Sequence, residues 1–430
     1  LVTKAGTVGS TDKVVFGQLG HYPTALTMSA ILLICMSLLP GIPMLPFIGL
    51  ALLTGGLAFL IYQREVETEA EEAAAIAAEE EPEVPAEEPI SAALQIDNIR
   101  LELGYGLLAM INNTQERRLT DQIKALRRQL AGELGFVMPA VRIQDNLQLP
   151  TNNYVIRIKE IESGGGELRP NLLLIMDPRG EAISLPGEAT TEPTFGLPAV
   201  WVNEQHREEA MFRGYTVVDA PTVITTHLTE IIRDNMSELL SYAETQKLMD
   251  ELDQPQQKLI ADLIPNQISV GGVQRVLQNL LSERISVRDL PTILEGISEA
   301  TGYTRNIGQI TEHVRARLAR QLSDAATNEQ GFIPLITLSP DWEQAFAESI
   351  VGQGDEKQLS MAPSQLQQFI NDVRTTFERH AMQGETAVLL VSPAIRPFVR
   401  SVVERFRPVT VVMSQNEIHP KARIKTLDQI

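Results

Sequence analysis

The sequence predicts a multidomain chain built from a two-helix transmembrane hairpin, an acidic linker and a cytoplasmic α+β body. Three observations carry that prediction. Two uncharged apolar runs, Thr24–Leu39 and Met44–Tyr62, flank Pro40-Gly41-Ile42-Pro43. Arg64–Ile90 then holds eleven glutamates against one arginine, a net of −10. From Ile96 onward the apolar residues alternate between strand and helix spacing.

The hairpin follows from length and turn chemistry. A bilayer core of roughly 30 Å takes about 20 apolar residues as helix. Met44–Tyr62 fits, and the first run reaches that length with His21, Tyr22 and Pro23 at the interface. Pro-Gly-Ile-Pro cannot continue a helix and suits a tight reversal. The competing reading is a buried helical hairpin of a large soluble core, which ordinarily keeps a polar stripe. Lys4 and Lys13 precede the hairpin and Arg64 follows it, so the positive-inside rule puts both ends in the cytoplasm. The chain starts at Leu1 and shows no signal peptide before the hairpin, and it reads as a fragment lacking its N-terminal part.

The 430 residues have 43% hydrophobic content and a net charge of −19, which supports packed cores and argues against general nucleic-acid binding. The one cysteine, Cys35, lies in the first apolar run, so no disulfide framework or cysteine zinc site is expected. In the linker, Glu65–Glu81 is rich in alanine and glutamate, and Pro82–Pro89 holds three prolines. Such a segment repels itself and stays solvated.

The body opens with Leu101, Leu103, Leu107, Leu108 and Ile111. A helix over Leu119–Leu134 follows, with Ile123, Leu126 and Leu130 on one face and Gly135 closing it. Strands are expected at Ala140–Ile143, Tyr154–Ile161 and Leu172–Met176, with a Ser-Gly-Gly-Gly turn at Ser163–Gly166. Asp177–Pro198 reads as irregular. A strand at Ala199–Val202, a strand at Tyr215–Val218 and a helix over Thr222–Leu240 come next.

Residues 241–325 read as helices only. Val273, Val276, Leu277, Leu280 and Leu281 form one stripe, and Asp289 caps a helix over Pro291–Ala300. Ile307, Ile310, Val314, Leu318 and Leu322 form another stripe, whose outer face carries Arg315, Arg317 and Arg320. A basic face of this kind is ordinarily solvated. The C-terminal part returns to α/β, with strand Thr386–Val391, helix Ile395–Phe406 and strand Val409–Met413 implying a parallel βαβ unit.

Nothing in the sequence argues for an enzyme. The loop after the first βαβ strand, Ser392-Pro393-Ala394, has no phosphate-cradling glycine, and no Walker or dinucleotide fingerprint occurs. The six histidines show no metal-ligand spacing, and no cofactor is expected. Arg213-Gly214-Tyr215-Thr216-Val217-Val218 resembles half of an RNA-recognition strand motif. Val217 and Ala220 stand where stacking aromatics belong, so no nucleic-acid partner is expected.

Several motifs together resemble the flagellar type III export-gate family, the FlhA family, whose virulence-secretion relatives share the fold. They are Leu-Pro-Gly-Ile-Pro-Met-Leu-Pro (39–46), Arg-Ile-Gln-Asp-Asn-Leu (142–147), Leu-Pro-Gly-Glu (185–188) and Glu-Pro-Thr-Phe-Gly-Leu-Pro-Ala-Val-Trp (192–201). Gly-Tyr-Thr-Val-Val-Asp (214–219), Thr-His-Leu (226–228), Val-Leu-Gln-Asn-Leu-Leu (276–281), Ser-Val-Arg-Asp-Leu-Pro-Thr-Ile-Leu-Glu (286–295) and Ala-Ile-Arg-Pro (394–397) complete the set. The resemblance runs nearly the full length in order and leaves only the acidic linker unconstrained.

It implies a cytoplasmic segment over 1–20, the membrane hairpin over 21–62, the linker over 63–95 and four cytoplasmic subdomains. These would be subdomain 1 over 96–170 and 220–240, an inserted RNA-recognition-like subdomain 2 over 171–219, a helical subdomain 3 over 241–325 and an α/β subdomain 4 over 326–430. It further implies an inner-membrane location and a homo-oligomeric ring of nine. Implied partners are export chaperones with bound flagellar substrates, other export-apparatus membrane and ATPase-complex components, and the lipid bilayer. The family's chaperone-docking dimple maps onto Glu192, Phe195 and Thr226, the first often aspartate in relatives. Phe195 alternatively belongs to a core, and Thr226 alternatively caps or packs its helix. The expected function is a non-enzymatic docking and transport platform of flagellar protein export. The alternatives are the virulence homologue and, from another class, a membrane-tethered RNA-binding regulator.

Overall fold

The computed structural model describes residues 23–37, 45–46, 48–56, 58–59, 96–112, 119–352 and 357–430. The chain divides into two units, Leu1–Gln95 and Ile96–Ile430.

In the first unit, α1 spans Pro23–Ser37, and residues 45–46, 48–56 and 58–59 are helical. Among the described residues no helix is long and apolar enough to cross a membrane. Among the described residues the expected transmembrane hairpin is therefore not shown. Its Pro-Gly-Ile-Pro turn, and the acidic linker, lie outside the described residues. The described pieces have small residues inside and large ones outside. Ala30, Ala51 and Ala58 are buried, whereas Met28, Ile31, Leu32, Leu52, Leu53 and Phe59 are exposed. A Cβ placed on Gly55 would lie 3.7 Å from that of Ala30, so the two apolar runs meet through small side chains.

The second unit is α+β. β1 (Ile99–Leu103), α2 (Leu119–Leu134), β2 (Val141–Asp145), β3 (Asn153–Ile158) and β4 (Ile161–Glu167) open it. The strands form a sheet in the order β2-β1-β3-β4, with β1 parallel to β2 and antiparallel to β3. Helix α2 lays Leu119, Ile123, Leu126 and Leu130 on this sheet's core and ends at Gly135, whose φ of 68° suits glycine. The reversal between β3 and β4 is not the Ser163–Gly166 glycine run. It is Lys159-Glu160, with φ of 48° and 70°, and the glycines lie within β4 opposite β3.

The next sheet is antiparallel, in the order β6-β7-β5-β8. Its strands are β5 (Leu173–Met176), β6 (Glu188–Thr191), β7 (Pro198–Val202) and, after the short helix α3 (Arg207–Phe212), β8 (Thr216–Asp219). The stretch expected to be irregular therefore contains a strand, whose Glu-Ala-Thr-Thr sequence lacks any apolar alternation. Helix α4 (Ala220–Asp234) starts two residues before its expected first residue because Asp219 caps it, accepting from the Thr222 N–H. It breaks at Asn235, beyond which a short separate helix covers Met236–Leu239, where one helix to Leu240 was expected.

Helices α5 (Tyr242–Asp250), α6 (Gln254–Leu263), α7 (Val270–Ser282), α8 (Leu290–Thr301), α9 (Ile307–Arg317) and α10 (Ala319–Ala325) follow. Asp289 caps α8 by accepting from the Thr292 N–H. One continuous cluster of buried side chains runs from Ile99 to Leu318, so these helices pack into the same core as the first sheet.

The last part is a fully parallel sheet, β13-β12-β9-β14. It comprises β9 (Ile333–Thr337), α11 (Pro340–Ser349), the small pair β10 (Ile350–Val351) and β11 (Gln358–Leu359), and α12 (Pro363–Ala381). β12 (Val388–Val391), α13 (Arg396–Val403), β13 (Val412–Ser414) and β14 (Ile424–Gln429) complete it. The expected parallel βαβ unit is β12-α13-β13.

A buried ion cluster joins this sheet to the helices. Arg315 is 1% exposed and Arg396 2%, so Arg315 does not lie on a solvated face as its spacing suggested. Arg396 holds Glu283 through two bonds, at 2.9 and 3.1 Å, and Glu312 through two more, the Nε one at 2.6 Å. Arg315 pairs with Glu283 at 2.9 Å and with Glu417, and Arg400 lies 4.0 Å from Glu283. Three arginines and three glutamates balance here, as burial of charge requires. Burial alone would raise Glu283, but Arg315, Arg396 and Arg400 outweigh it and hold the carboxyl below its ordinary range. Burial does raise Glu312, against its bonds from Arg396.

Candidate functional site

The turn between β6 and β7 is built by Glu192. Its N–H donates to the Leu197 carbonyl at 2.9 Å, and its own carbonyl accepts from Gly196, whose φ is 68°. The Glu192 carboxylate folds back into the turn, Oε1 accepting from the Thr194 N–H at 2.9 Å and Oε2 from the Phe195 N–H at 2.7 Å. Charge-assisted bonds of this kind are roughly twice as strong as neutral ones. Glu192 is only 3% exposed, whereas Phe195, three residues on, is 61% exposed. Phe195 is therefore not a core residue, which removes that alternative.

Beneath the turn lies a polar pair that sequence reasoning missed. Tyr154 of β3 is 1% exposed, and its hydroxyl is 2.8 Å from Nδ1 of His227 on α4. The rings meet edge to face, with centroids 5.9 Å apart. Burial, then the Glu192 charge, pushes the Tyr154 hydroxyl up. Burial also lowers His227, with Glu192 opposing. A neutral imidazole thus meets a protonated phenol, sharing a hydrogen bond without a net charge.

The glycines of β4 make room for this arrangement. A Cβ on Gly164 would come within 2.5 Å of Ile231 Cδ1 and 2.8 Å of His227 Nε2. One on Gly166 would lie 3.1 Å from Pro193 Cβ and 3.2 Å from the Tyr154 hydroxyl. The Ser-Gly-Gly-Gly run was the available signal. It marks a strand approached closely by a helix and a turn, not a reversal.

The structure thus brings Glu192 and Phe195 into one turn. Thr226 is half-buried and immediately precedes His227 on α4. Among the described residues its link to the turn runs through His227, Tyr154 and Gly166 rather than through a direct hydrogen bond. The arrangement offers a large apolar side chain on a stiff support. Among the described residues no group of His, Cys, Asp and Glu could hold a metal ion.

The model of the FHIPEP family matches residues 1–423. The chain belongs to the FHIPEP family. The chain is 55% identical over 430 residues to the flagellar biosynthesis protein FlhA of Caulobacter vibrioides, covering all of this chain and 61% of that protein. It is 35% identical over 433 residues to FlhA of Bacillus subtilis, covering 99% of this chain and 63% of that one. This FHIPEP-family chain therefore spans about three fifths of the length of these relatives. Its fold is similar to that of Chlamydia pneumoniae CdsV, with a TM-score of 0.70 at 23% identity over 78% of this chain and 98% of that one. It is also similar to the nonameric SctV-C from EPEC, with a TM-score of 0.64 at 20% identity over 78% of this chain and 98% of that one.

Proposed function

We propose that this FHIPEP-family chain is a non-enzymatic docking platform of the flagellar type III protein-export apparatus. In this reading the Phe195 turn receives export chaperones carrying bound substrates and passes them on to the export gate. The single observation that carries it is Phe195, 61% exposed on a turn whose backbone is held by the buried Glu192 carboxylate. Exposed large aromatics on rigid supports make binding hot spots, because little conformational freedom is lost on docking. Thr226 completes the surface from α4, while Glu192 acts as a positioning residue whose oxygens serve its own turn.

The family and its FlhA relatives support the flagellar assignment over the virulence homologue. A nonameric ring of this chain is supported by the nonameric SctV-C structure from EPEC. The complex of Chlamydia pneumoniae CdsV with CdsO supports partner binding by this fold. The first unit's outward-facing Met28, Ile31, Leu32, Leu52, Leu53 and Phe59 support a hairpin inserted in the inner membrane, its helices meeting through small residues as membrane helices do. The body is then cytoplasmic.

The test is Phe195→Ala in the full chain. A docking residue of this type costs roughly 2 kcal/mol or more of affinity on truncation, about thirtyfold. With most of the ring already in solvent, folding stability should fall by only about 1 kcal/mol, against about 3 to 5 kcal/mol for a core phenylalanine. Unchanged affinity for a chaperone–substrate complex, measured calorimetrically on the folded variant, would refute the assignment.

A further inference from the structure

A cleft of about 950 Å³ opens between α8 and α10 on one side and the segment leading into β14 on the other. Its walls carry Arg317, Arg320, Lys421 and Arg423 against Asp289 and Asp324. Two of these six charges already have partners. Asp289 accepts from the Thr292 N–H and from Gln321, each at 3.3 Å, and Arg317 lies 3.7 Å from both Glu295 and Glu299. Among the described residues, Arg320, Lys421 and Arg423 have no carboxylate within 4.0 Å. In a chain of net charge −19, a concavity with four cations against two carboxylates stands out.

The cations are held on fixed backbone. The His419 N–H donates to Ser323 Oγ at 2.8 Å, which clamps the segment to α10. The Lys421 N–H donates to His419 Nδ1, and the Ala422 N–H to the His419 carbonyl. The Arg423 carbonyl accepts from the Ile333 N–H at 2.8 Å, where β9 begins. Arg320 faces them from α10, immediately after the break between α9 and α10 at Leu318.

We propose that this cleft is a second docking site, one that takes an extended acidic peptide segment of a partner protein. The volume lies at the upper end of the roughly 300 to 1,000 Å³ of ligand sites, too large for a single phosphate. Clustered arginine and lysine around a groove recognise acidic motifs by charge-assisted bonds. A nucleic acid is a poor occupant, since a chain of net charge −19 repels a long, dense polyanion more strongly than a short acidic segment. This site is separate from the Phe195 turn and does not rest on the docking role proposed for that residue.

The test uses the full chain in detergent and fluorescein-labelled hexaglutamate as the probe, followed by anisotropy. Saturable, salt-sensitive binding is expected. The triple variant Arg320→Glu/Lys421→Glu/Arg423→Glu should weaken it by about tenfold or more, three rim contacts acting together. Arg128→Glu/Lys258→Glu/Arg275→Glu, which changes net charge equally at exposed positions elsewhere, should leave it within about twofold. The milder Lys421→Gln/Arg423→Gln should fall between, with an unchanged unfolding midpoint. Absence of saturable binding, or equal losses in the two triple variants, would overturn the proposal. Displacement of the probe by tripolyphosphate as readily as by unlabelled hexaglutamate would overturn the peptide assignment.

Discussion

Replacing Arg396 by Met removes the central cation of the buried cluster while keeping much of its aliphatic volume. Arg396 donates to both oxygens of Glu283, both of Glu312 and the Val412 carbonyl. Removing one partner of a buried ion pair ordinarily costs about 3 to 5 kcal/mol. Glu283 keeps Arg315 at 2.9 Å and Arg400 at 4.0 Å, so its loss is cushioned. Glu312 keeps only the Arg315 charge, with no ion pair of its own among the described residues, and would neutralise by taking up a proton. The expected cost at about pH 7 is therefore near the lower bound, about 3 kcal/mol. The sign of the pH dependence follows from the two carboxyls. Glu283, held low in the folded state, stabilises above its unfolded pKa and loses that contribution as pH falls through its folded value. Glu312, held high, stabilises fully below its unfolded pKa and loses that contribution as pH rises through its folded value. Without Arg396 both values move up, so the deficit should be largest near neutrality and narrow towards about pH 5. Denaturant unfolding followed by Trp342, which packs on Phe369 in the C-terminal core with ring centroids 5.3 Å apart, measures it in a Trp201→Phe background. Adding Glu312→Met should recover part of the loss. A deficit below about 1 kcal/mol at neutral pH, or one that grows on acidification, would refute the reasoning.

Two further outcomes concern the support of the Phe195 turn. Glu192→Ala deletes the acceptor of two amides, so hydrogen exchange at Thr194 and Phe195 should accelerate roughly ten- to hundredfold. Docking should weaken with Phe195 still present, and unchanged exchange would remove Glu192's positioning role. Gly164→Ala places a methyl against Ile231 and His227 and should cost about 1 to 3 kcal/mol as overpacking. The shift of His227 should appear as altered imidazole resonances in NMR spectra, and an unmoved His227 with full stability would contradict the close-packed reading of β4.

The Phe195 site was half legible before the fold was known. Pro193, Gly196 and Pro198 announce a turn from local chemistry alone, and a phenylalanine there invites a binding role. That Glu192 is buried and turned inward was not legible, because a carboxylate next to a turn reads equally well as an exposed contact. Tyr154 and His227 are separated by 73 residues, and no local pattern pairs them.

The same division runs through the whole chain. Helix α2 ended where Gly135 said it would, α8 was capped by Asp289, and β12-α13-β13 came out parallel, because stripes, caps and crossovers are decided within a few turns of chain. Ser163–Gly166 looked like a reversal because glycine permits one, yet these glycines sit in a strand since α4 and the Glu192 turn press against it. Arg315 occupies the polar side of its helix by spacing, yet it is buried because α13 and Glu417 close over that side. Glycines that admit a neighbour and charges that meet a distant opposite have the same local sequence whether buried or exposed. Their burial is decided by which distant segment packs there, and that is a property of the assembled structure alone.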